Sequence, residues 1–454
     1  MSMAERVRIV KRAAKKGGGR GAVSPARRAA FEVLRRVEEE GAFAAPLLAN
    51  LPASLSTEDR ALAYELTLGV LRRQFWLDRL AEHLSGRAGG KLDAPVRLAL
   101  RMGLFQIRFL ARVPAHAAVN ESVETARAAG FGSAAPFVNA VLRRATREPD
   151  YDPAAAVADP LERIAVETSH PPKLVRRWAA SFGVEEAASF ARANNDSAPA
   201  AFRVNTLKSD PETLVERLRA EGIAVAASRV APGAWRVEGG AGASAALHRL
   251  SVEGLVYMQD EASQLVAYVL GARPGERLLD ACAAPGRKTT HLAALGEGRA
   301  RIVAGDLYEH RLRVVRETCA RLGVEGVAPV ALDAEAALPF ADETFDRVLV
   351  DAPCTGTGTL RHNPEIRWRL TLESFKEMPA VQGRILAEAA RVLRRGGRLV
   401  YSTCSVEREE NEEVVAAFLQ THADFRQTQA TRTWPHREDV DGFFLASLER
   451  DKAP

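Results

Sequence analysis

The sequence is poor in cysteine and in aromatic residues, and it has no long apolar run. Four cysteines occur among 454 residues, at positions 282, 319, 354 and 404, and none forms a C-x-x-C pair. A zinc site built on such pairs is therefore excluded, and no metal is expected. No segment has the roughly 18 apolar residues that a membrane span requires, and no signal-peptide core opens the chain. We therefore predict a cytoplasmic protein without a membrane partner.

A strong excess of one charge is also absent, since 63 lysines and arginines are balanced by 58 aspartates and glutamates. This mildly basic balance permits a polyanionic partner without requiring one. Basic residues crowd around Gly17–Gly19, and we predict a disordered basic tail over residues 1–23. Phosphate contacts to a nucleic acid and simple solubilisation of the terminus explain this tail equally well.

The length exceeds that at which one hydrophobic core usually keeps growing, so two or three domains are expected. Residues 24–148 show helix signals throughout. Ser24 is a capping residue before an N1 proline, and Ser56 with Asp59 resembles a capping box. The apolar residues after Pro25 repeat at the spacing of one helix face, and they are Ala30, Val33, Leu34 and Val37. The pattern predicts an all-α bundle.

The rest of the chain predicts two further domains. Pro149–Pro160 has the composition of a linker, and residues 160–262 mix helix and strand patterns, which indicates a small α+β domain. Residues 263–450 alternate strands and helices, which is typical of a mainly parallel sheet covered on both faces, an α/β Rossmann-like fold. The strand-like stretches are Arg277–Ala281, Arg301–Asp306, Val327–Leu332, Phe345–Val350 and Gly397–Ser402.

A small-residue loop, Asp280-Ala-Cys-Ala-Ala-Pro-Gly286, follows the first strand of this sheet and leads into a helix. Small residues let a ligand approach the backbone, and a helix N-terminus offers free N–H groups. The loop has neither the G-x-G-x-x-G spacing of a dinucleotide fold nor a P-loop. This disfavours a dinucleotide oxidoreductase and favours a nucleotide-like ligand without a required pyrophosphate.

Aspartates occur at the ends of three successive strands, namely Asp280, Asp306 and Asp333. Taken singly, each is better explained as a turn or helix cap. The carboxyl ends of parallel strands meet at one edge of a sheet, where ligands bind. Three aspartates at that edge therefore favour a ligand site, with Asp306 at the position that usually meets ribose hydroxyls.

Two cysteines follow the next two strands, in Asp351-Ala-Pro-Cys354 and in Tyr401-Ser-Thr-Cys404. A lone cysteine at a strand end is more often a buried structural thiol, but two converging on a nucleotide cleft reverse that preference. Carbon 5 of cytosine becomes nucleophilic only when a thiolate adds to carbon 6. Asp351 is placed to stabilise the adduct at ring N3, and Cys354 is the candidate that assists the later elimination.

The motifs around these residues are DACAAPGRKTTHLA, DAPCTGTGTLRHNPEIRW and LVYSTCSVEREENEE. They resemble those of the RNA cytosine-5 methyltransferases, which have a class I methyltransferase fold. PAHAAVNESVETA and FVNAVLRR resemble the NusB-like RNA-binding bundle, and the combination is similar to the RsmB type. The resemblance implies S-adenosylmethionine as cofactor and a single-stranded or loop region of 16S ribosomal RNA as partner of a monomeric enzyme.

The resemblance also implies roles for particular residues. Cys404 is the nucleophile, because the Thr-Cys-Ser context distinguishes RNA enzymes from DNA enzymes, which use the Pro-Cys motif at Cys354. Cys354 then assists product release. The residues implied to contact S-adenosylmethionine are Cys282, Ala283, Ala284, Pro285, Gly286, Arg287, Lys288, Asp306, Asp333 and Asp351. Arg287 departs from the Pro-Gly-Gly-Lys pattern of the family. It weakens binding if the position requires positive φ or close approach of the cofactor, and it has no effect if its side chain points outward.

Two alternatives to the ribosomal enzyme remain open at this point. A transfer RNA methyltransferase would use the same chemistry, and the NusB-like bundle disfavours it. A catalytically impaired RNA-binding assembly factor is motivated by Arg287 alone. In either ribosomal interpretation, four arginines of the bundle are candidates for phosphate contacts or for a solvated helix surface, and they are Arg72, Arg73, Arg143 and Arg144.

Overall fold

The computed structural model describes residues 23–87, 92–238 and 241–452. These form two compact units: an N-terminal unit, which runs to Asn195 and also includes Asn363–Trp368, and a C-terminal unit made of the remainder. The units and the domains predicted above divide the chain at different residues, so the predicted domain boundaries stay predictions. Apart from Val23, the predicted basic tail lies outside the described residues.

Helices build the N-terminal unit. They are α1 (Pro25–Glu39), α2 (Ala44–Ala49), α3 (Thr57–Arg72), α4 (Gln74–Ser85), α5 (Ala94–Phe109), α6 (Ala115–Ala128), α7 (Ala135–Arg147), α8 (Pro160–Glu167), α9 (Pro172–Phe182) and α10 (Val184–Ala193). A 3-10 turn, Gly132–Ala134, precedes α7. The first seven helices bury one continuous apolar cluster, and the predicted stripe of α1 is part of it. This confirms the helical bundle.

The two predicted helix caps have different outcomes. Ser56 caps α3, because its side chain accepts a hydrogen bond from the Asp59 backbone N–H at 3.0 Å. Ser24 precedes α1, but its side chain makes no cap hydrogen bond. The Ser24 hydroxyl donates instead to Glu121 Oε2 on α6 at 2.6 Å. Ser24 therefore occupies the predicted N-cap position before Pro25, but its side-chain oxygen accepts from Arg27 Nη1 at 3.0 Å and not from a backbone N–H of the helix.

A short segment from far along the chain, Asn363–Trp368, packs inside the N-terminal unit. Arg367 is fully buried and donates to Ser169 O at 3.1 Å and to Asn195 Oδ1 at 3.0 Å. Burial lowers the pKa of Arg367 to about 9. Glu365 Oε1 accepts from the Ala44 N–H at 2.8 Å. The interior of this unit is therefore completed by side chains that follow Cys354 closely in sequence.

The C-terminal unit opens with a small antiparallel sheet. Its strands, in the order β2-β3-β1-β4, are β1 (Ala200–Val204), β2 (Ala224–Ala227), β3 (Ala234–Glu238) and β4 (Val256–Met258). Helices α11 (Pro211–Ala220) and α12 (Ala241–Val252) accompany the sheet. Phe202, Leu214, Leu218 and Val256 are among the buried residues of its separate core. This confirms the small α+β element predicted in the middle of the chain.

A seven-stranded sheet forms the larger part of the C-terminal unit, with the order β10-β11-β9-β8-β5-β6-β7. Its strands are β5 (Arg277–Asp280), β6 (Arg301–Asp306), β7 (Val327–Ala331), β8 (Phe345–Asp351), β9 (Leu393–Thr403), β10 (Phe425–Thr433) and β11 (Phe443–Arg450). The helices of this part are α13 (Glu261–Leu270), α14 (Arg287–Leu295), α15 (Glu309–Leu322), α17 (Ser374–Val392), α18 (Glu412–Thr421) and α19 (Pro435–Glu438). Helix α16 (Ile366–Arg369) lies mostly within the segment Asn363–Trp368 of the N-terminal unit. Two further 3-10 turns are Thr357–Thr359 and Arg408–Glu410.

The sheet confirms the predicted fold class. Strands β5 to β9 pair in parallel and coincide closely with the five predicted strands. Strands β10 and β11 were not predicted, and they add an antiparallel edge next to β9. The strand order reverses at β5, which lies between β6 and β8. Ligands bind at such a reversal, beyond the carboxyl ends of the strands. Within the described residues, no helix is long and apolar enough to cross a membrane.

Candidate active site

The register of two neighbouring strands brings Cys354 and Cys404 together. In the parallel pairing of β8 with β9, Asp351 is the partner of Ser402. Each cysteine lies two or three residues beyond this pair. The two Sγ atoms are 3.4 Å apart. The convergence expected from the sequence is therefore present in the structure, while the roles of the two thiols stay predictions.

The two thiols have unequal acidity. The hydrogen bond between the two thiols lowers the pKa of Cys404, and nearby Lys288 acts in the same direction. The same hydrogen bond, together with burial, raises the pKa of Cys354 well above its ordinary range. Cys404 is therefore the thiol that ionises first, and the thiolate is the nucleophilic form of cysteine.

Asp351 is held by contacts from two directions. Its Oδ1 accepts from the Ser402 hydroxyl at 2.9 Å, and Lys288 Nζ lies 2.7 Å from its Oδ2. Lys288 is buried, and its ammonium group lies 5.1 Å from the centre of the Phe443 ring. The Asp351 carboxylate thus links the end of β8 to the first turn of α14 and to the end of β9, beside the thiol pair.

The loop after β5 ends at a glycine with a left-handed backbone. Gly286 adopts φ +93°, and a β-carbon there would lie 3.4 Å from Val315 Cα. Arg287 is the first residue of α14 and its side chain is exposed. Positive φ thus falls on Gly286 and not on Arg287. The backbone argument that Arg287 obstructs the loop therefore does not apply.

Asp280 is a buried carboxylate beneath the same loop. Its Oδ2 accepts from the Thr289 hydroxyl at 2.7 Å, and its Oδ1 is buried without a hydrogen-bond partner among the described residues. Burial raises the pKa of Asp280 to about 7. Burial also raises the pKa of Cys282, which is half-buried in the loop. The side chains of Asp280 and Cys282 are therefore both part of the interior of the loop and are not exposed turn residues.

The other two strand-end aspartates differ in their surroundings. Asp306 at the end of β6 accepts from the Ala284 N–H at 3.3 Å and from the Tyr308 N–H at 3.2 Å, so its carboxylate is tied to the small-residue loop. Asp333 follows β7 and is exposed, and its Oδ1 accepts from the Glu335 N–H at 2.9 Å. The structure thus places Asp306 at the loop and shows Asp333 in a local turn.

Glu410, a residue without a role predicted from the sequence, is fully buried near the thiol pair. Its Oε2 accepts from the Thr355 N–H at 2.9 Å, and its Oε1 accepts from the Ser405 hydroxyl at 3.0 Å. It therefore connects the residue after Cys354 with the residue after Cys404. Gln382 on α17 donates to the same carboxylate at 3.0 Å. The motif around Glu410 was recognised, but a glutamate in so acidic a run is normally solvated.

Comparison with known families agrees with this architecture. Residues 267–449 match the family described as 16S rRNA methyltransferase RsmB/F. Residues 24–147 match the NusB family. Residues 170–243 match the ferredoxin-like domain described for RsmF/B-like methyltransferases. The family matches therefore cover the helical bundle, the small sheet and the large sheet.

The fold and the paired strand-end motifs define a Rossmann-like methyltransferase. "Probable ribosomal RNA small subunit methyltransferase B" from Bacillus subtilis is 36% identical over 443 residues, 93% of this chain and 98% of the relative. Ribosomal RNA small subunit methyltransferase B from Pseudomonas putida is 36% identical over 425 residues, 89% of this chain and 94% of the relative. The chain belongs to the RsmB/F family of RNA methyltransferases.

Solved structures show the same relationship. The crystal structure of PH0851 covers 95% of this chain and 100% of its own, with a TM-score of 0.80 at 29% identity. A methyltransferase homolog protein from Pyrococcus horikoshii covers 65% and 100%, with a TM-score of 0.57 at 30% identity. NSun6 from Pyrococcus horikoshii with SFG covers 62% and 99%, with a TM-score of 0.56 at 25% identity.

Proposed function

We propose that the protein transfers a methyl group from S-adenosylmethionine to carbon 5 of a cytosine in 16S ribosomal RNA, through a covalent adduct with Cys404. The observation that carries the proposal is the 3.4 Å separation of Cys354 Sγ and Cys404 Sγ beside Asp351. The names of the Bacillus and Pseudomonas relatives support the small ribosomal subunit as the source of the RNA. A single-stranded or loop region suits the reaction, because the base must leave its stack.

The loop after β5 fits S-adenosylmethionine by its chemistry. The small side chains of Ala283 and Ala284 leave the backbone open to a ligand, and Asp306 offers carboxylate lone pairs for ribose hydroxyls. The unpartnered Oδ1 of Asp280 lies beneath this loop. When bound, S-adenosylmethionine supplies the methyl group as an electrophile. In support, SFG is an analogue of this cofactor in the NSun6 structure.

The protein's own groups account for the remaining steps. The Cys404 thiolate adds to carbon 6 of the cytosine, which makes carbon 5 nucleophilic. Asp351, held by Ser402 and Lys288, stabilises the adduct at ring N3 by a hydrogen bond or by protonation. After methylation, a base takes the proton from carbon 5, its electron pair re-forms the double bond between carbons 5 and 6, and Cys404 leaves as a thiolate. We propose that Cys354 assists this elimination.

Two features affect the alternatives. The case for an impaired assembly factor came from Arg287, which is exposed and begins α14 while Gly286 carries the positive φ. The NusB match over residues 24–147 favours a ribosomal substrate over transfer RNA. Phosphate contacts by Arg72, Arg73, Arg143 and Arg144 stay a prediction. Arg144 also forms an ion pair with Glu148 within the bundle.

The test compares three proteins on 16S ribosomal RNA: the unchanged chain, Cys404→Ala and Cys354→Ala. We expect cytosine-5 methylation by the unchanged chain, detected by bisulfite sequencing, and none by Cys404→Ala, while calorimetry shows S-adenosylmethionine binding by both. Cys354→Ala should accumulate a protein–RNA adduct that survives a denaturing gel. Methylation by Cys404→Ala would refute the mechanism, and an adduct formed by Cys404→Ala but not by Cys354→Ala would exchange the two roles.

A further inference from the structure

The two active-site thiols are also placed to react with each other. Their Sγ atoms are 3.4 Å apart, whereas a disulfide bond is about 2.0 Å long. Both cysteines are half-buried, so a small oxidant can approach them. The remaining cysteines differ, since Cys319 is buried on α15 and Cys282 lies in the loop after β5. The described residues therefore contain one thiol pair in direct contact.

The surrounding hydrogen bonds hold this pair together. Glu410 accepts from the Thr355 N–H and from the Ser405 hydroxyl, so it connects the neighbour of each cysteine. The Gly358 N–H donates to Cys404 O at 2.9 Å, which adds a direct link between the two loops. The two sulfur atoms consequently need to move only a short distance to form a disulfide bond. The hydrogen bonds between the two loops keep the cysteines from moving apart.

We propose that Cys354 and Cys404 form an intramolecular disulfide when the protein meets hydrogen peroxide, and that this reversible bond makes the enzyme inactive. The disulfide itself follows from the geometry of the pair. Its effect on methylation rests on the function proposed above. The oxidant is a peroxide because it is small enough for a half-buried site and is reduced by two electrons, the number that disulfide formation releases.

The chemistry proceeds in two balanced steps. The Cys404 thiolate attacks one peroxide oxygen, the O–O bond breaks, and the departing hydroxide takes a proton to become water. Cys404 is then a sulfenic acid. The Cys354 sulfur attacks the Cys404 sulfur, the S–O bond breaks, and the hydroxyl leaves as a second water with the Cys354 proton. Two thiols and one peroxide thus give one disulfide and two waters, and a thiol reductant reverses the change.

The unequal acidity of the pair supports this order of events. The hydrogen bond between the two thiols lowers the pKa of Cys404, which favours Cys404 as the thiol that reacts with the peroxide first. The raised pKa of Cys354 keeps that thiol protonated until the sulfenic acid forms beside it. A resolving thiol next to a sulfenic acid prevents further oxidation to the irreversible sulfinic acid.

The experiment oxidises the full chain with equimolar hydrogen peroxide, blocks free thiols with N-ethylmaleimide and measures intact and peptide masses. We expect the oxidised protein to carry two fewer maleimide groups than the reduced protein, with one linked peptide pair that contains Cys354 and Cys404. Cys319→Ser, a matched control outside the pair, should give the same link. Cys354→Ser should give no link and should accumulate sulfinic acid at Cys404, and circular dichroism confirms that this variant is folded.

Two results would overturn the proposal. One is a link that includes Cys282 or Cys319 in place of either active-site cysteine. The other is sulfinic acid at Cys404 of the unchanged chain while Cys354 remains free. Methylation of 16S ribosomal RNA is assayed in parallel, and it should be lost on oxidation and return with dithiothreitol. If the link forms and methylation is unaffected, the disulfide stands and the role proposed for Cys404 fails.

Discussion

Lys288 Nζ lies 2.7 Å from Asp351 Oδ2, and this ion pair connects the first turn of α14 to the end of β8. We predict that Lys288→Met lowers kcat by about 100-fold, within the range that a positioned proton donor contributes. The reason is that Asp351 loses its cation beside the reacting base. A double-mutant cycle with Asp351→Asn should show a coupling of about 0.5–3 kcal/mol. If the two substitutions lowered kcat additively, Lys288 and Asp351 would act independently, and the prediction would be wrong.

Glu410 provides a test of positioning, because it touches the neighbours of both cysteines but neither thiol directly. Glu410→Gln places an amide where Thr355 and Ser405 donate, and we expect a loss of about 1–3 kcal/mol of stability. The kcat should fall while the Kd for S-adenosylmethionine is unchanged. The control is Glu413→Gln on exposed α18 surface, which should change neither. A purely structural role would lower stability and leave kcat per folded molecule intact.

We predict that substitution of Arg287 has little effect on cofactor binding, whereas substitution of Gly286 lowers stability. Arg287 is exposed at the start of α14, so Arg287→Gly should leave the Kd for S-adenosylmethionine within about twofold, less than 1 kcal/mol. Gly286→Ala forces a β-carbon onto φ +93° and should cost about 1–3 kcal/mol. Titration calorimetry measures the affinities and thermal melts the stability. Much tighter binding by Arg287→Gly would show that the arginine obstructs the loop.

Asp280 makes stability depend on pH. Burial raises its pKa to about 7 in the folded protein, whereas an aspartate in an unfolded chain titrates near ~3.9. The folded state therefore binds more protons between these values, and this contribution to stability is full below ~3.9 and lost as the pH rises to about 7. The Tm of the unchanged chain relative to Asp280→Asn should fall between pH 5 and pH 8. A constant difference would contradict the assignment.

The sequence predicted the parts of the fold that depend on local pattern. Strands β5 to β9 are apolar stretches, most of them separated by helices, and this alternation indicates a parallel sheet. Strand β10 could not be predicted from hydrophobic periodicity, because Phe425–Thr433 is largely polar and exposed. An edge strand tolerates such a sequence. The acceptor of the Ser24 hydroxyl, Glu121, lies 97 residues away, so no cap rule could identify it.

In the candidate active site, too, some features could be predicted from the sequence and others could not. Strand ends in one parallel sheet meet at one edge, which is why the convergence of Cys354 and Cys404 could be predicted. The hydrogen-bond network of Glu410 could not, since its buried position depends on the packing of α17 against the end of β9. The position of the positive φ at Gly286 also required the structure, because the sequence leaves the turn geometry of the loop open.

The segment Asn363–Trp368 makes neither unit a continuous piece of the chain. A cut after Asn195 would take from the helical part the buried Arg367 and Glu365 that complete its interior, and would leave them stranded on the other fragment. If two relatives exchanged their helical parts through a single crossover after Asn195, the helices would come from one parent and the segment Asn363–Trp368, which packs among them, from the other. Successful exchange therefore requires a second crossover around this segment, so evolution and engineering must treat the two together.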